Sequence, residues 1–227
     1  MRPSRPEDEH IAARSAEGSV MILSRRHFLH AAASIAALGI VAGCSQPAPI
    51  KGTYVLDPAM PPVVARTHPG LLRVGNVTVA APYRGRPFVY RETELKYETD
   101  YYHEFLVTPG ANIAEATVRA LSAAKVFAAV APSGVAVEST WVLDGFVDAV
   151  YGDGRVQGKP NAVLRITWFL RPHSGDSGVP VLTRSYERAI PFTSGSAAAY
   201  IEAQNKALSE ILAELARDLS AANLPSQ

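Results

Sequence analysis

The chain contains one cysteine, Cys44, and its surroundings make it the residue best placed for covalent chemistry. A thiolate is a nucleophile that can form a thioether, and the residues before Cys44 are Val41, Ala42 and Gly43, which end an apolar run. A lone cysteine cannot form a disulfide within the chain. The position therefore indicates a modification site rather than a structural thiol.

The residues before Cys44 have the order of a cleavable signal peptide. Arg25 and Arg26 precede Phe28 and Leu29, and an uncharged, alanine-rich stretch follows as far as Gly43. The apolar segment has roughly 14 residues, whereas a helix that crosses a hydrocarbon core needs about 20. We therefore predict a removable leader and no permanent transmembrane helix in this region.

Both parts of the leader resemble bacterial export signals. Residues 24–29 resemble the twin-arginine (Tat) consensus, with His30 in place of its final lysine, and residues 41–44 resemble the lipobox, whose cysteine receives diacylglycerol. Several acyl chains on one residue give stable anchoring, because each buried methylene contributes about 0.8 kcal/mol. We expect Cys44 to be lipidated and to take up labelled palmitate. By analogy, the non-acidic Ser45 favours the outer over the inner membrane, with the domain facing the periplasm.

The sequence divides into four segments. Residues 1–20 are polar and lack periodicity, so they are either a disordered extension or a wrongly assigned start, with translation beginning at Met1 or at Met21. Residues 21–43 are the predicted signal peptide, and residues 44–53 are a lipidated, proline-containing tether. Residues 54–222 should form one domain.

Composition supports a folded domain without a nucleic-acid partner. Hydrophobic residues make up 48% of the chain and charged residues 19%, which is enough apolar material for a core. From Cys44 onward there are 17 basic and 17 acidic residues, so no net positive charge attracts phosphate backbones.

Enzyme motifs are weak. Ser122 and Lys125 match the Ser-x-x-Lys string of penicillin-binding proteins, but no Ser-Asp-Asn or Lys-Thr-Gly partner occurs in the sequence. Nucleophile elbows, phosphate-binding loops and zinc-protease strings are also missing, so we predict no enzyme activity and no cofactor. Asp144 and Asp148 lie about 13 Å apart along a strand and cannot share a metal ion directly. We therefore predict no metal site.

The predicted fold is α+β, with a mainly antiparallel sheet packed against two helices. Residues 71–80 favour a strand, residues 88–91 and 95–97 favour two shorter ones, and residues 126–130 turn β-like again. Three further extended segments are separated by glycine-rich turns and indicate an antiparallel meander; they are residues 141–151, 162–171 and 181–190.

Two helices should cover the apolar face of this sheet. The first is predicted over residues 113–125, with Asn112 and Glu115 close to a capping box and with Ala114, Val118 and Leu121 facing the core. The second closes the domain with a longer apolar stripe at helical spacing, made of Ile201, Leu208, Ile211, Leu212, Leu215 and Leu219.

Several short strings and the order of elements resemble the ABC-type transport auxiliary lipoprotein family, which includes the PqiC-like proteins. The strings are residues 54–56, 72–74, 88–91, 101–102 with Phe105, and 143–145, followed by the closing helix. The resemblance spans residues 54–219. One departure is residues 105–109, where many relatives carry Trp-Ala-x-Pro-Pro, and another is the Tat-type leader.

The resemblance implies that the sheet and the two helices form a small α/β sandwich, and it implies a role beside a membrane transporter. Members of this family work with ABC transporters and with mammalian-cell-entry (MCE) domain proteins that move lipids between the two membranes. The implied partners are an MCE-domain protein, the ABC permease and ATPase complex, and phospholipid.

An aromatic group in an apparently irregular stretch is the predicted partner surface. It consists of Tyr90, Tyr97, Tyr101, Tyr102 and Phe105. Tyrosine and phenylalanine supply rigid contact area for a partner segment or an acyl chain. If the segment is extended, Tyr101 and Tyr102 point to opposite sides, and at most one of them can face the core.

Two functions of different class remain open. The first is a non-catalytic binding module tethered to the outer membrane, which docks a transport assembly. The second is an envelope serine hydrolase or penicillin-interacting enzyme that uses Ser122.

Overall fold

The computed structural model describes residues 51–173 and 179–225. These include the predicted domain, residues 54–222, apart from residues 174–178. The residues predicted to direct export and lipidation lie outside the described part: Arg25, Arg26, Phe28, Leu29, Val41, Ala42, Gly43 and Cys44.

The described residues form eight strands, two α-helices and a short 3-10 helix at Ala81–Tyr83. The first half of the domain contains β1 (Gly52–Tyr54), β2 (His68–Val79), β3 (Pro87–Arg91), β4 (Tyr97–Phe105) and α1 (Pro109–Ala124). The second half contains β5 (Phe127–Pro132), β6 (Trp141–Asp153), β7 (Asn161–Pro172), β8 (Leu182–Pro191) and α2 (Ala197–Ala221).

The fold is α+β, but the sheet is mixed, so the prediction of a mainly antiparallel sheet is wrong. Four pairings are parallel, β1 with β4, β2 with β5, β2 with β6 and β3 with β6. The others, β3–β4, β6–β7 and β7–β8, are antiparallel, which confirms the predicted meander. Crossover connections produce the parallel pairs, since the chain passes through β3, β4 and α1 between β2 and β5.

Strand β6 is the junction of the sheet. One edge pairs with β7 from Trp141 to Asp153. The opposite edge pairs with β2 between Trp141 and Val147, and then with β3 at Gly152 and Asp153. The sheet therefore forks beyond β6, with β2 and β5 on one branch and β3, β4 and β1 on the other.

Both helices pack on the same apolar core. The stripe predicted for the closing helix is buried in full, and Leu208, Ile211, Leu212, Leu215 and Leu219 are inaccessible to solvent. Across from it lie the apolar side chains of β7, with Leu164, Ile166, Trp168 and Leu170 at most 1% exposed. In the described part, no helix combines the length and apolar character needed to cross a membrane.

Helix α1 begins earlier and is rotated relative to the prediction. Its N-cap is Thr108 and Pro109 occupies the first turn, a position where the missing N–H of proline costs nothing. Asn112 therefore lies inside the helix and is buried, so the predicted capping role is wrong. Ile113, Ala116 and Ala120 form the buried face, whereas Ala114 and Val118 are only half-buried.

Asn112 instead holds a segment that we call the strap, residues 56–67, which crosses the two helices. Its side chain accepts from the Leu56 amide at 2.8 Å and donates to the Leu56 carbonyl at 2.9 Å. Polar side chains of α2 bind the rest of the strap: Asn205 accepts from the Asp57 amide, Ser209 from the Ala59 amide and Ser220 from the Arg66 amide.

The outward side of β6, β7 and β8, which we call the open face, is mainly polar, but it also carries Phe146, which is 37% exposed, and the half-buried Phe169. Arg165 pairs with Glu187 at 2.7 Å, and Arg171 pairs with Asp144 at 3.2 Å. Thr167 donates to Asp148 at 3.0 Å. These contacts leave the aspartates engaged with neighbours along a solvated strand face.

Candidate functional site

The five aromatic residues predicted as a partner surface occupy three different environments. Phe105 is 2% exposed and lies in the core, 4.7 Å from the Phe88 ring. Tyr90 is half-buried against Tyr200, with ring centroids 5.4 Å apart. Phe105 therefore offers no surface to a partner in this fold.

Tyr97 belongs to a small tyrosine cluster. Its ring packs edge-on against Tyr151 at 5.7 Å and against Tyr83 at 6.3 Å. The Arg91 guanidinium lies 5.5 Å from the centre of the Tyr97 ring, within the range of a cation–π contact. Tyr97 is 40% exposed, so one side of this cluster meets solvent.

The buried phenols in this region stay protonated. Burial raises the pKa of Tyr83, helped by a hydrogen bond with Tyr97, and burial also raises the pKa of Tyr90 and of Tyr200. A neutral phenol at physiological pH is a weak base and a weak nucleophile. These tyrosines are therefore suited to packing rather than to proton abstraction.

Tyr101 and Tyr102 lie on the outside of a bulge in β4. In the pairing of β3 with β4, Pro87 lies opposite Glu104 and Val89 lies opposite Thr99. A step of two residues along β3 therefore corresponds to a step of five residues along β4. The Asp100 carboxylate holds the extra residues, since its Oδ1 accepts from the Tyr102 amide at 2.7 Å and from the His103 amide at 3.0 Å. Its Oδ2 lies 2.8 Å from the His103 ring nitrogen Nδ1.

The bulge breaks the alternation on which the tyrosine prediction rested. Tyr101 is 73% exposed and Tyr102 is 42% exposed, so both rings face solvent. Their centroids are 5.1 Å apart and the rings are nearly perpendicular, at 87°. The expectation of opposite sides is therefore wrong, because Asp100 bends the backbone between the two positions.

Other exposed apolar residues lie along the same edge of the sheet. The Leu106 amide donates to the Tyr54 carbonyl at 2.6 Å, which places Leu106 beside Val55. Lys51 contributes a cation 4.7 Å from the centre of the Tyr101 ring. We call the following set the edge surface: Val55, Tyr101, Tyr102, Leu106 and Val107, all at least 40% exposed.

Sequence reasoning found the two tyrosines of the edge surface but missed its three aliphatic residues. Val55, Leu106 and Val107 are ordinary residue types without a motif. Only their exposure, next to the two tyrosines, distinguishes them from core residues.

Ser122 and Lys125 do not form a recognisable catalytic pair. Lys125 ends α1 in the left-handed conformation, with φ at 56°, so the two residues do not share a regular helical turn. Both are exposed to solvent at the end of the helix. They therefore lack the enclosed environment in which a lysine would activate a serine.

In the described part of the chain, acidic residues and histidines do not gather at a common centre. Across residues 51–173 and 179–225, no group of three or more His, Cys, Asp or Glu residues is placed to hold a metal ion. Asp153 binds Arg155, whose hydrogen bonds lower the pKa of that carboxyl. His173 lies in a loop and donates its amide to the Thr140 carbonyl at 2.9 Å.

The described residues thus form a small α+β domain with an exposed apolar edge. Residues 54–216 match the family model described as an ABC-type transport auxiliary lipoprotein component. The chain belongs to that family, and the resemblance predicted from its strings is confirmed. No curated protein sequence matches the chain.

Solved structures share the fold. A Xanthomonas campestris protein of the DUF330 family superposes with a TM-score of 0.67 at 21% identity, covering 74% of this chain and 94% of its own. A second crystal structure, of an uncharacterized protein, has a TM-score of 0.59 at 17% identity and covers 75% and 99%. A PelC dodecamer from Paraburkholderia phytofirmans is more distant, with a TM-score of 0.40 at 18% identity over 68% and 93%.

Proposed function

We propose that this protein is a non-catalytic auxiliary component of an ABC/MCE-type lipid transport system, anchored in the outer membrane and facing the periplasm. The family match over residues 54–216 is the observation that carries the proposal. The exposed edge surface supports it, because a binding module needs an accessible apolar patch.

The proposed anchor is lipid on Cys44 after export by the Tat route. Cys44→Ser should abolish labelling with palmitate, since a hydroxyl is a much weaker nucleophile than a thiolate. Palmitate labelling followed by membrane fractionation measures both lipidation and anchoring. A matched Ser45→Ala variant should keep its label and stay in the membrane fraction. Undiminished labelling of Cys44→Ser would remove the basis for the anchor.

The edge surface is the proposed docking site for the MCE-domain protein. Exposed tyrosines give large contact areas at a low cost in side-chain entropy, and exposed aliphatic residues extend the patch. The tether from Cys44 to Lys51 spans at most about 25 Å when fully extended. Docking at this edge would therefore take place near the membrane that holds the lipid.

Co-purification with the MCE-domain subunit tests the docking site. We expect the double substitution Tyr101→Ser/Tyr102→Ser to reduce co-purification about tenfold or more, because both exposed rings are removed. Stability should change by less than about 1 kcal/mol, since surface substitutions cost little. Leu95→Ser is the matched control, because Leu95 is 94% exposed in the turn between β3 and β4.

The control should retain the partner. If the double variant also retains it while folding normally, the edge surface is not the docking site. If neither the wild-type protein nor the control binds an MCE-domain subunit, the transport assignment itself fails.

A further inference from the structure

A groove of about 640 Å³ lies between the strap and the C-terminal half of α2. Its volume falls within the roughly 300–1,000 Å³ typical of small-molecule sites. Most of its lining is apolar and comes from Pro62, Val63, Val64 and Ala65 on the strap and from Ala213 and Ala221 on the helix. Small side chains on α2 leave this space open.

Two arginines, Arg66 and Arg217, also line the groove. Among the described residues neither forms an ion pair. Three acidic residues in the C-terminal half of α2 lie on the side that faces β8, where Glu210 and Glu214 bind Arg188 and Asp218 binds Arg184. The groove is therefore apolar with two positive charges and no acidic lining residue.

Hydrogen bonds within the chain engage one carbonyl at the end of each helix and one carbonyl of the strap near the groove. The carbonyl of Ala124, at the end of α1, accepts from the Val64 amide at 2.9 Å. Near the end of α2, the Leu219 carbonyl accepts from the buried His68 ring at 2.8 Å. Ser220 donates to the Arg66 carbonyl at 2.7 Å and fixes the strap to the helix. The arginine side chains, rather than helix-end carbonyls, therefore dominate the charge offered to a ligand.

We propose that this groove binds one acyl chain of a phospholipid, with the lipid phosphate held by Arg66 and Arg217. The apolar lining matches the chain, and guanidinium groups match phosphate in charge and hydrogen-bond geometry. This inference rests on the proposed function, since a lipid transport system supplies the ligand. It adds a lipid site to a subunit otherwise assigned only a docking role.

Photo-cross-linking in cells tests the proposal on the full chain. Val63, which is 61% exposed in the groove, is replaced by p-benzoylphenylalanine in cells grown with 32P-orthophosphate. Phospholipid carries this label, whereas the diacylglycerol and fatty acid predicted on Cys44 contain no phosphorus. After irradiation we expect a 32P-labelled adduct on the purified protein. The matched control is Val156→p-benzoylphenylalanine, because Val156 is 59% exposed in the loop between β6 and β7.

Substitution of the arginines supplies the second arm. Arg66→Gln/Arg217→Gln should lower the Val63 adduct about fivefold to tenfold, because two solvent-exposed ionic contacts are removed. Arg165→Gln/Arg184→Gln, which changes two exposed arginines on β7 and β8, should leave the adduct unchanged. The proposal is overturned if position 156 gives as much 32P adduct as position 63, or if position 63 gives no 32P adduct or a cross-link to a protein instead. It is also overturned if Arg66→Gln/Arg217→Gln leaves the adduct unchanged.

Co-purification with the MCE-domain subunit from the same cells separates the two proposals. Absence of the 32P adduct at Val63 in a protein that keeps both arginines and its partner would reject the lipid site alone. Retention of the adduct without the partner would reject docking alone.

Discussion

The open face and the edge surface are both solvent-exposed parts of one sheet, yet their side chains behave differently. On the open face, polar groups bind one another: Arg165 pairs with Glu187, and Thr167 contacts both Asp148 and Ser185. On the edge surface, Tyr101 and Leu106 are 73% and 55% exposed and bury little of their apolar area. Exposure alone therefore does not mark a binding site, whereas exposed apolar area that the fold leaves uncovered does.

Backbone geometry explains how the edge surface arises. On β7, regular alternation sends Leu164, Ile166 and Trp168 inward and leaves Arg165, Thr167 and Phe169 on the outward side. On β4, the Asp100 bulge interrupts that alternation and turns two consecutive tyrosines outward. The hydrogen bonds of Asp100 thus stabilise a bulge in which both tyrosine rings are exposed.

Phe105→Ala should give the largest loss of stability. It tests whether the buried end of β4 differs from the exposed part that carries Tyr101. Truncating this buried ring should cost about 3–5 kcal/mol of unfolding free energy, because a cavity opens beside Phe88. Denaturation by urea measures the loss. Tyr101→Ala, on the same strand, should change stability by less than about 0.5 kcal/mol. Equal losses for the two variants would contradict the distinction drawn within β4.

Asp100→Ala tests whether the bulge makes the edge surface. It removes the acceptor for two backbone amides and should cost about 1–3 kcal/mol of stability. Because Tyr101 and Tyr102 would shift, co-purification with the MCE-domain subunit should also fall. Thermal unfolding and co-purification are the two measurements.

Asp144→Ala is the matched control on the open face. Asp144 also accepts from a backbone amide, that of Asn76 at 3.0 Å, and it pairs with Arg171. Its loss should cost stability without affecting the partner. If both variants lose the partner to the same extent, the open face and the edge surface do not differ in function.

The Arg165–Glu187 pair should give the smallest effect. A double-mutant cycle with Arg165→Ala and Glu187→Ala should yield a coupling energy of about 0.2–1 kcal/mol, since both side chains are solvent-exposed. Added salt should reduce it further. Chemical denaturation at two ionic strengths measures both quantities. A loss of the partner in either variant would show that the open face also takes part in binding.

The sequence predicted elements whose hydrophobic pattern repeats over many residues. The closing helix has a stripe sustained from Ile201 to Leu219, and β7 alternates from Leu164 to Leu170, so both were predicted correctly. The pattern of a strand carries no direction, however. The parallel pairing of β2 with β5 and β6 therefore could not be read from it.

Of the remaining features that the sequence did not predict, two depend on contacts between distant parts of the chain and one depends on a local turn at Asp100. Asn112 has the residue type of a helix cap, but its amide holds Leu56 of the strap, 56 residues away. The edge surface depends on a bulge that Asp100 stabilises, and an aspartate in a strand gives no local signal of this. The groove exists only where Arg66 of the strap meets Ser220 of α2.

The strap also constrains the order in which the domain can assemble. Its amides bind side chains of α2 that lie 148, 150 and 154 residues further along the chain. The contacts between the strap and α2 therefore cannot form until that last helix has been synthesised. Closing such long loops costs chain entropy before the contacts that stabilise them have formed. This cost favours late docking of the strap on α2 during folding. Truncating α2 would then also remove the hydrogen bonds that hold the strap at the beginning of the domain.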